Sequence, residues 1–450
     1  MTLGLKLTTT ALTLVATAAS TQDLLHAPGT GPFTWSAYEA FAEGNDFAGQ
    51  TLRIAGASTG EDKTKLENVF AYFSAATGAE IALSGSDSFE QDITIGVQAG
   101  TVPDIAMFPQ PGLVQDLARA GAIVPLAPEV AGWYEENYAA GASWASLATF
   151  AGPDGDERTY GMFFGTDVKS LVWYSPDAFD EMGYEVPDTM EDLIALSDLI
   201  VENGGTPWCI GLGSGAATGW PATDWVEEIM LRTQPPEVYD QWVANEIPFD
   251  DPRVITAIET FGQFALNEAY TPQGPQGVAS EDFRDSPDGL FTLPPTCYMH
   301  RQASFIPTFF PEGAEVGVDV DFFYFPAYES ADLGRPILGS GGLITVMKDS
   351  ALAQAFIAFL QTPFAHEIAI SQGQFLTPHL KANSEAYPSE TQAALGEILT
   401  GATVFRFDGS DLMPGEIGTD AFWTAMVDYV TGTSAADAAS AVQTRWSSIR

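Results

Sequence analysis

Apolar residues along the first third of the chain follow two alternating periods. "TLRIAGA" from residue 51 has the rhythm of a strand, and Leu66, Val69, Phe70 and Phe73 then recur at helical spacing until Gly78. "AEIALSG" is a second strand, followed by a helix marked by Phe89, Ile93 and Val97 and ended by Gly100. "DIAMF" is a third strand, with Leu113, Val114 and Leu117 on the helix behind it. This alternation predicts an α/β fold around a mainly parallel sheet. The rhythm returns at "YGMFFGTDVKSLVWYSP", and Thr189 with Asp192 predicts a capping box opening a helix through Ile200. "TPWCIGLGSGAATGWPATDW" reads as a strand followed by an ordered loop, "DFFYFPAY" and "ILGSGGLITVM" as strands. Asp349 or Ser350 caps the apolar helix "ALAQAFIAFLQ", and Asp87 reads as the N-cap of the Phe89 helix. Residues 20–49 are an extension with one short helix in "FTWSAYEAFAEG".

The third strand ends abruptly at Pro109-Gln110-Pro111-Gly112. Pro and Gly punctuate ordinary turns, but the carboxyl ends of strands in open α/β sheets are also where ligands bind. Prolines would stiffen such a loop before a ligand arrives and lower the ordering cost of binding. Gln110 would offer both a donor and an acceptor.

A chain of 450 residues exceeds one compact core, and two α/β units are expected. Asp and Glu number 60 against 17 Lys and Arg, a formal net charge of -43. Such a surface repels nucleic acid and anionic membranes, and suits a salty medium in which screening weakens self-repulsion. Residues 1–19 have the form of a secretory signal: Lys6, a modest apolar stretch, then small residues at Ala18 and Ala19. Export makes one disulfide between Cys209 and Cys297, the only cysteines, the expected pairing; two buried thiols are the alternative.

Catalytic patterns are missing. His26, His300, His366 and His379 are scattered without metal-ligand spacing, and there is no Cys-x-x-Cys. Ser214 and Ser340 lie among glycines but not in Gly-x-Ser-x-Gly. "GLGSGAATG" lacks the last glycine of the dinucleotide fingerprint. Neither a metal nor an organic cofactor is implied. Aromatic faces with carboxylates, amides and Arg on loops after strands point instead to sugar binding.

The segment "YGMFFGTDVKSLVWYSPDAFDEMGYEVPDTMEDL" resembles the extracellular solute-binding proteins of ATP-driven sugar importers, with maltose-binding protein a distant relative. "FSAATGAEIALSG", "GTVPDIAMF" and "LMPGEIGTDAFWTAMVDYVTG" resemble it too, in the same order. "PQPGLVQDLARAGAIVPL", "WCIG" and "PPTCYMHRQASF" are closer to alpha-glucoside-binding members.

The resemblance implies a type II periplasmic-binding-protein fold: two α/β lobes, a hinge and a ligand cleft between them. Lobe one would take residues 50–166 and 327–374, and lobe two 167–326 and 375–450. It also implies a monomeric periplasmic protein, not an enzyme, that passes an alpha-glucoside of sucrose, maltose or trehalose type to a membrane permease. A secreted glycoside hydrolase or a binding protein for another small solute such as a polyol are the alternatives. The ligand contacts it implies are Glu61, Phe108, Gln110, Asp167, Trp220, Asp224, Arg301 and Trp423. Glu61 is an acid where maltose-binding protein has a lysine, and Arg301 stands where an aromatic platform is usual.

Overall fold

The computed structural model describes residues 24–449 apart from 332, 374 and 403, so the signal sequence lies outside the described residues. Eleven strands are present among them. β1 (Thr51–Gly56), β2 (Glu80–Gly85) and β3 (Ile105–Phe108) run parallel in the order β2-β1-β3. β4 (Thr149–Ala151) and β5 (Glu157–Thr159) form a separate hairpin. β6 (Gly161–Val168) and β7 (Leu171–Tyr174) follow almost continuously. β8 (Met299–Arg301) and β9 (Asp321–Tyr324) flank β7, and β10 (Ile337–Val346) and β11 (Phe405–Phe407) complete the first sheet.

β10 organises the molecule. Leu343 pairs with Phe163 of β6 on one side and Phe108 of β3 on the other, both antiparallel. Further back, Gly339 pairs with Val168 of β6 and with Phe407 of β11. So β3 and β11 lie end to end along one edge of β10 while β6 runs along the other. Ten residues at ~3.3 Å each let β10 span about 33 Å, enough to cross between two cores. The sheet is therefore mixed where the sequence predicted a mainly parallel one: β10 enters from the far side of the chain and reverses direction.

One core gathers Leu52, Ile54, Phe70, Phe73, Ile105, Val114, Phe164, Leu343 and Phe356. A second gathers Val172, Trp208, Trp225, Trp242, Phe261, Leu338 and Met426. A smaller third holds Val168, Leu171, Trp173, Ile306 and Leu376. β6 leaves the first core at Phe164 and reaches the third at Val168; β10 passes from Leu338 in the second to Leu343 in the first.

Local signals behave as their chemistry requires. Thr189 accepts from the Asp192 amide, and Ser350 rather than Asp349 caps the helix Ala351–Leu360. The "TPWCIG" run forms no regular strand: only Trp208 bridges to Met299, because the chain turns immediately into the glycine loop. The described part of the extension, from Leu24, packs against the first core. Trp35 and Tyr38, on the helix Trp35–Ala42, lie 4.9 and 4.7 Å from the Phe364 ring, and Thr34 Oγ1 donates to buried Glu367 at 2.6 Å.

Cys209 and Cys297 are bridged, closing a loop of 88 residues. Cys209→Ser with Cys297→Ser is expected to cost about 2–3 kcal/mol, since structure retained in the denatured state lowers the loop-entropy value. Denaturant titration of oxidised protein and double variant checks this; coincident curves would count against it.

Candidate functional site

The carboxyl ends of β1, β2, β3 and β11 converge on one cavity of about 240 Å³, where elements from the first core face elements from the second and third. The wall from the first core carries Asp62, Asp87, Glu90, Phe108, Gln110 and Phe164. The opposite wall carries Trp220, Asp224, Phe283, Arg284, Phe305, Phe309 and Trp423. Asp167 near the end of β6, Lys169 just after it, Ser340 to Gly342 of β10, and Asp408, Ser410 and Asp411 after β11 make the floor.

Six of the sequence-predicted residues are brought together here: Phe108, Gln110, Asp167, Trp220, Asp224 and Trp423. Phe108 is buried, with the Phe89 ring edge-on at 5.1 Å. Gln110 Nε2 donates to Glu90 Oε1 at 2.9 Å, while its buried Oε1 has no partner. The "PQPG" loop is shorter than expected, because Pro111 already starts the helix Pro111–Arg119. Gly112 is required there, since a Cβ would lie 1.8 Å from the Met413 carbonyl oxygen. Gly219, at φ 115°, likewise lets the start of the helix Trp220–Thr233 approach the Trp423 backbone. Trp423 itself follows a π-helical turn, Ile417–Phe422, and its buried Nε1 is unpartnered.

Two predicted residues are not in the wall. Glu61 is exposed and 3.6 Å from Lys65, whereas Asp62, one residue on, turns inward: neighbours on a helix point about 100° apart. Arg301 is fully buried behind the wall, its guanidinium 3.3 Å from both Asp224 and Glu228. Asp87 is not a cap either: Ser88 holds that position, and Asp87 accepts instead from Arg284 at 2.8 Å across the cavity mouth. Lys65 donates to Thr308 at 3.1 Å nearby, a second contact between the walls.

The floor is a buried charge cluster. Lys169 Nζ donates to Asp224 at 2.9 Å and also contacts Asp408. Burial works to lower the Lys169 pKa, but Asp224 and Asp408 hold it well above its ordinary value. Burial pushes Asp224 up, whereas at Asp408 the same burial is outweighed by Lys169 and the carboxyl stays well below the usual range. Burial, then the Asp408 charge, raise Glu227 and Asp411. Oxygens of Asp224, Glu227 and Asp408 lie within 4.8 Å of one another, a spacing that could hold a metal ion. The Lys169 ammonium supplies the positive charge this trio needs.

Asp167 is pushed up to about 7 by burial, despite accepting from Ser304 at 3.1 Å. A carboxyl raised in the folded state binds protons that the unfolded chain has released, so between about pH 4 and 7 stability falls as pH rises. Asp167→Asn is expected to flatten that fall by about 1–2 kcal/mol, less than the full shift because separating the walls admits water. Melting temperatures from pH 4 to 8 check this; equal slopes in both proteins would contradict it.

Asp62, Glu90, Phe283, Arg284, Phe305, Phe309, Asp408 and Asp411 were not singled out from the sequence. The aromatic density of "SFIPTFF", and "FDGSD" directly after a short strand, were the signals available.

The profile of the family described as bacterial extracellular solute-binding protein matches residues 56–366. The chain belongs to this family. It is 56% identical over 430 residues to the alpha-glucosides-binding periplasmic protein AglE of Rhizobium meliloti, covering 95% of this chain and 94% of that one. It is 43% identical over 396 residues to the osmoprotective compounds-binding protein GgtB of Synechocystis sp., covering 88% and 92%. Among solved structures, the bacterial solute receptor AcbH superposes with a TM-score of 0.74 at 18% identity, over 88% of this chain and 98% of that one. Maltose-bound MalE3 of T. maritima does so at 0.65 and 16%, over 88% and 98%. These likenesses establish a type II periplasmic-binding-protein fold, with two lobes and a cleft between them. A family of binding proteins also removes the hydrolase alternative.

Proposed function

We propose that the protein is the periplasmic sugar-binding component of an ATP-driven importer and captures an alpha-glucoside, a disaccharide of sucrose, maltose or trehalose type. The observation that carries this reading is the cavity between two cores, aromatic on both walls and lined with carboxyl groups. Aromatic rings cover the C–H faces of a sugar while carboxylates and the unpartnered Gln110 Oε1 accept from its hydroxyls. The 56% identity to AglE supports the same ligand class.

The contacts proposed are Phe108, Gln110, Asp167, Trp220, Asp224 and Trp423, with Asp62 in the place expected of Glu61 and Arg301 orienting Asp224 from behind. The lobes proposed are residues 50–166 with 327–374, and 167–326 with 375–450, with β6 and β10 as the hinge strands between them. Sugar bridging the walls shifts the population towards the closed form, secured by Asp87 with Arg284 and by Lys65 with Thr308. The closed monomer then docks on a membrane permease. Residues 1–19 direct export and are removed.

The identity to GgtB favours a second reading, a small osmoprotective solute such as a polyol. Titration calorimetry of the mature chain against sucrose, maltose, trehalose, glucose and mannitol separates them. Saturable heat with a disaccharide at micromolar Kd, about -8 kcal/mol, is expected. Heat with mannitol alone would move the second reading to first place, and silence across the panel would remove the sugar claim.

A further inference from the structure

Seven carboxyl groups line the cavity (Asp62, Asp87, Glu90, Asp167, Asp224, Asp408 and Asp411) against two cations, Lys169 and Arg284. The cations are already committed. Arg284 lies against Asp87 and Asp282, and Lys169 against Asp224 and Asp408. Among the described residues Asp62, Glu90, Asp167 and Asp411 have no Lys, Arg or His within 4.0 Å. Their neutral donors are few: Ser304 to Asp167 at 3.1 Å, Gln110 Nε2 to Glu90 at 2.9 Å and the Ser58 hydroxyl to Asp62. They come from different elements, Asp62 from the helix Gly60–Thr77, Glu90 from Phe89–Ala99, Asp167 from β6 and Asp411 from Gly409–Leu412. The fold thus gathers them around one space.

An independent feature points into the same space. Gln110, 4% exposed, presents an Oε1 with no donor. Acceptors therefore outnumber donors on the walls, and burial raises the pKa of all four carboxyl groups, so that ionising them together is unfavourable without a cation. A neutral glucoside donates its hydroxyl protons to these acceptors but brings no cation to stabilise their ionised form. An ammonium group does both, and a phosphate or carboxylate adds to the repulsion.

Building on the glucoside reading above, we infer that the cavity prefers an amino-substituted glycoside, its ammonium seated among Asp62, Glu90, Asp167 and Asp411, and rejects anionic sugars. The aromatic walls hold the rings of either ligand, so the preference lies in the carboxyl groups alone.

The test is titration calorimetry of the mature chain with maltose and trehalose, their 2-amino-2-deoxy and 6-amino-6-deoxy derivatives, and trehalose 6-phosphate. At least one amine should bind tenfold or more tighter than its parent, and the phosphate at least 100-fold weaker. The ratio of amine to parent should fall below threefold in Asp167→Asn or in Asp411→Asn, made singly so that a folding defect in one leaves the other. Parents that bind at least as well as every amine overturn the inference and leave the glucoside reading standing. A tenfold ratio unmoved by both substitutions overturns it too, because the amine is then held elsewhere. Amines binding where every neutral sugar is silent support the cation seat and overturn the neutral glucoside; silence from all removes both.

Discussion

Lys169→Met will destabilise the protein by about 3–5 kcal/mol, the cost of leaving buried charges without their partner. The side chain is 5% exposed and lies between Asp224 and Asp408, themselves 1% and 2% exposed. Methionine fills a similar volume, so the loss is electrostatic. Arg301 still reaches Asp224 at 3.3 Å, but among the described residues nothing replaces the ammonium beside Asp408. The carboxyl groups must then repel one another or take up protons. The penalty should therefore shrink as pH is lowered from 8 to 5, where protonation removes the repulsion. Lys169 also anchors the crossing, its amide donating to the Leu338 carbonyl of β10 at 2.8 Å, and its ammonium lies 5.5 Å from the centre of the Trp220 ring. Denaturant titrations at the two pH values measure both effects. A loss below 1 kcal/mol at pH 8, or one that does not change with pH, would sink this account.

Trp423→Ala will weaken binding of the panel sugar at least about 100-fold, as expected when a central aromatic contact is truncated. Trp423 is 5% exposed, held at the cavity by the π-helical turn before it and by Gly219 packed against its backbone. Trp423→Phe separates its two roles. Phenylalanine keeps a ring for the sugar face but removes the Nε1–H that has no partner in the protein. An intermediate loss of about tenfold is expected. Calorimetry with both variants reads this, and thermal melts separate a folding defect from a binding one. Alanine binding within threefold of the parent would mean that Trp423 only packs.

How far the site could be read in advance depended on the residue. Trp423 and Phe108 stood out because they match aromatic positions of the family that the chain resembles, and Trp220 because it follows a glycine-rich loop. Glu61 and Asp62 are adjacent acids, and which one faces inward depends on the phase of a helix whose first residue the sequence did not fix. Asp408 and Asp411 were hidden among 60 acids, with only the short "FDGSD" turn after a three-residue strand to distinguish them. Arg301 was expected among the ligand contacts, but the structure places it behind the wall, where Asp224 and Glu228 meet it.

By itself the sequence determined what depends on neighbours along the chain: the α/β alternation, the cap at Thr189, a cap at Asp349 or Ser350, and the excess of acid. Periodicity is local physics and survives folding, and so does capping to within a residue, as Ser88 in place of Asp87 shows. Only the tertiary structure decided what depends on distant segments. It set β10 antiparallel between β3 and β6, and joined Lys169 to Asp224 and Asp408 across 55 and 239 residues. It also placed carboxyl groups from four separate elements around one cavity, because burial and charge pairing are settled by the whole chain at once.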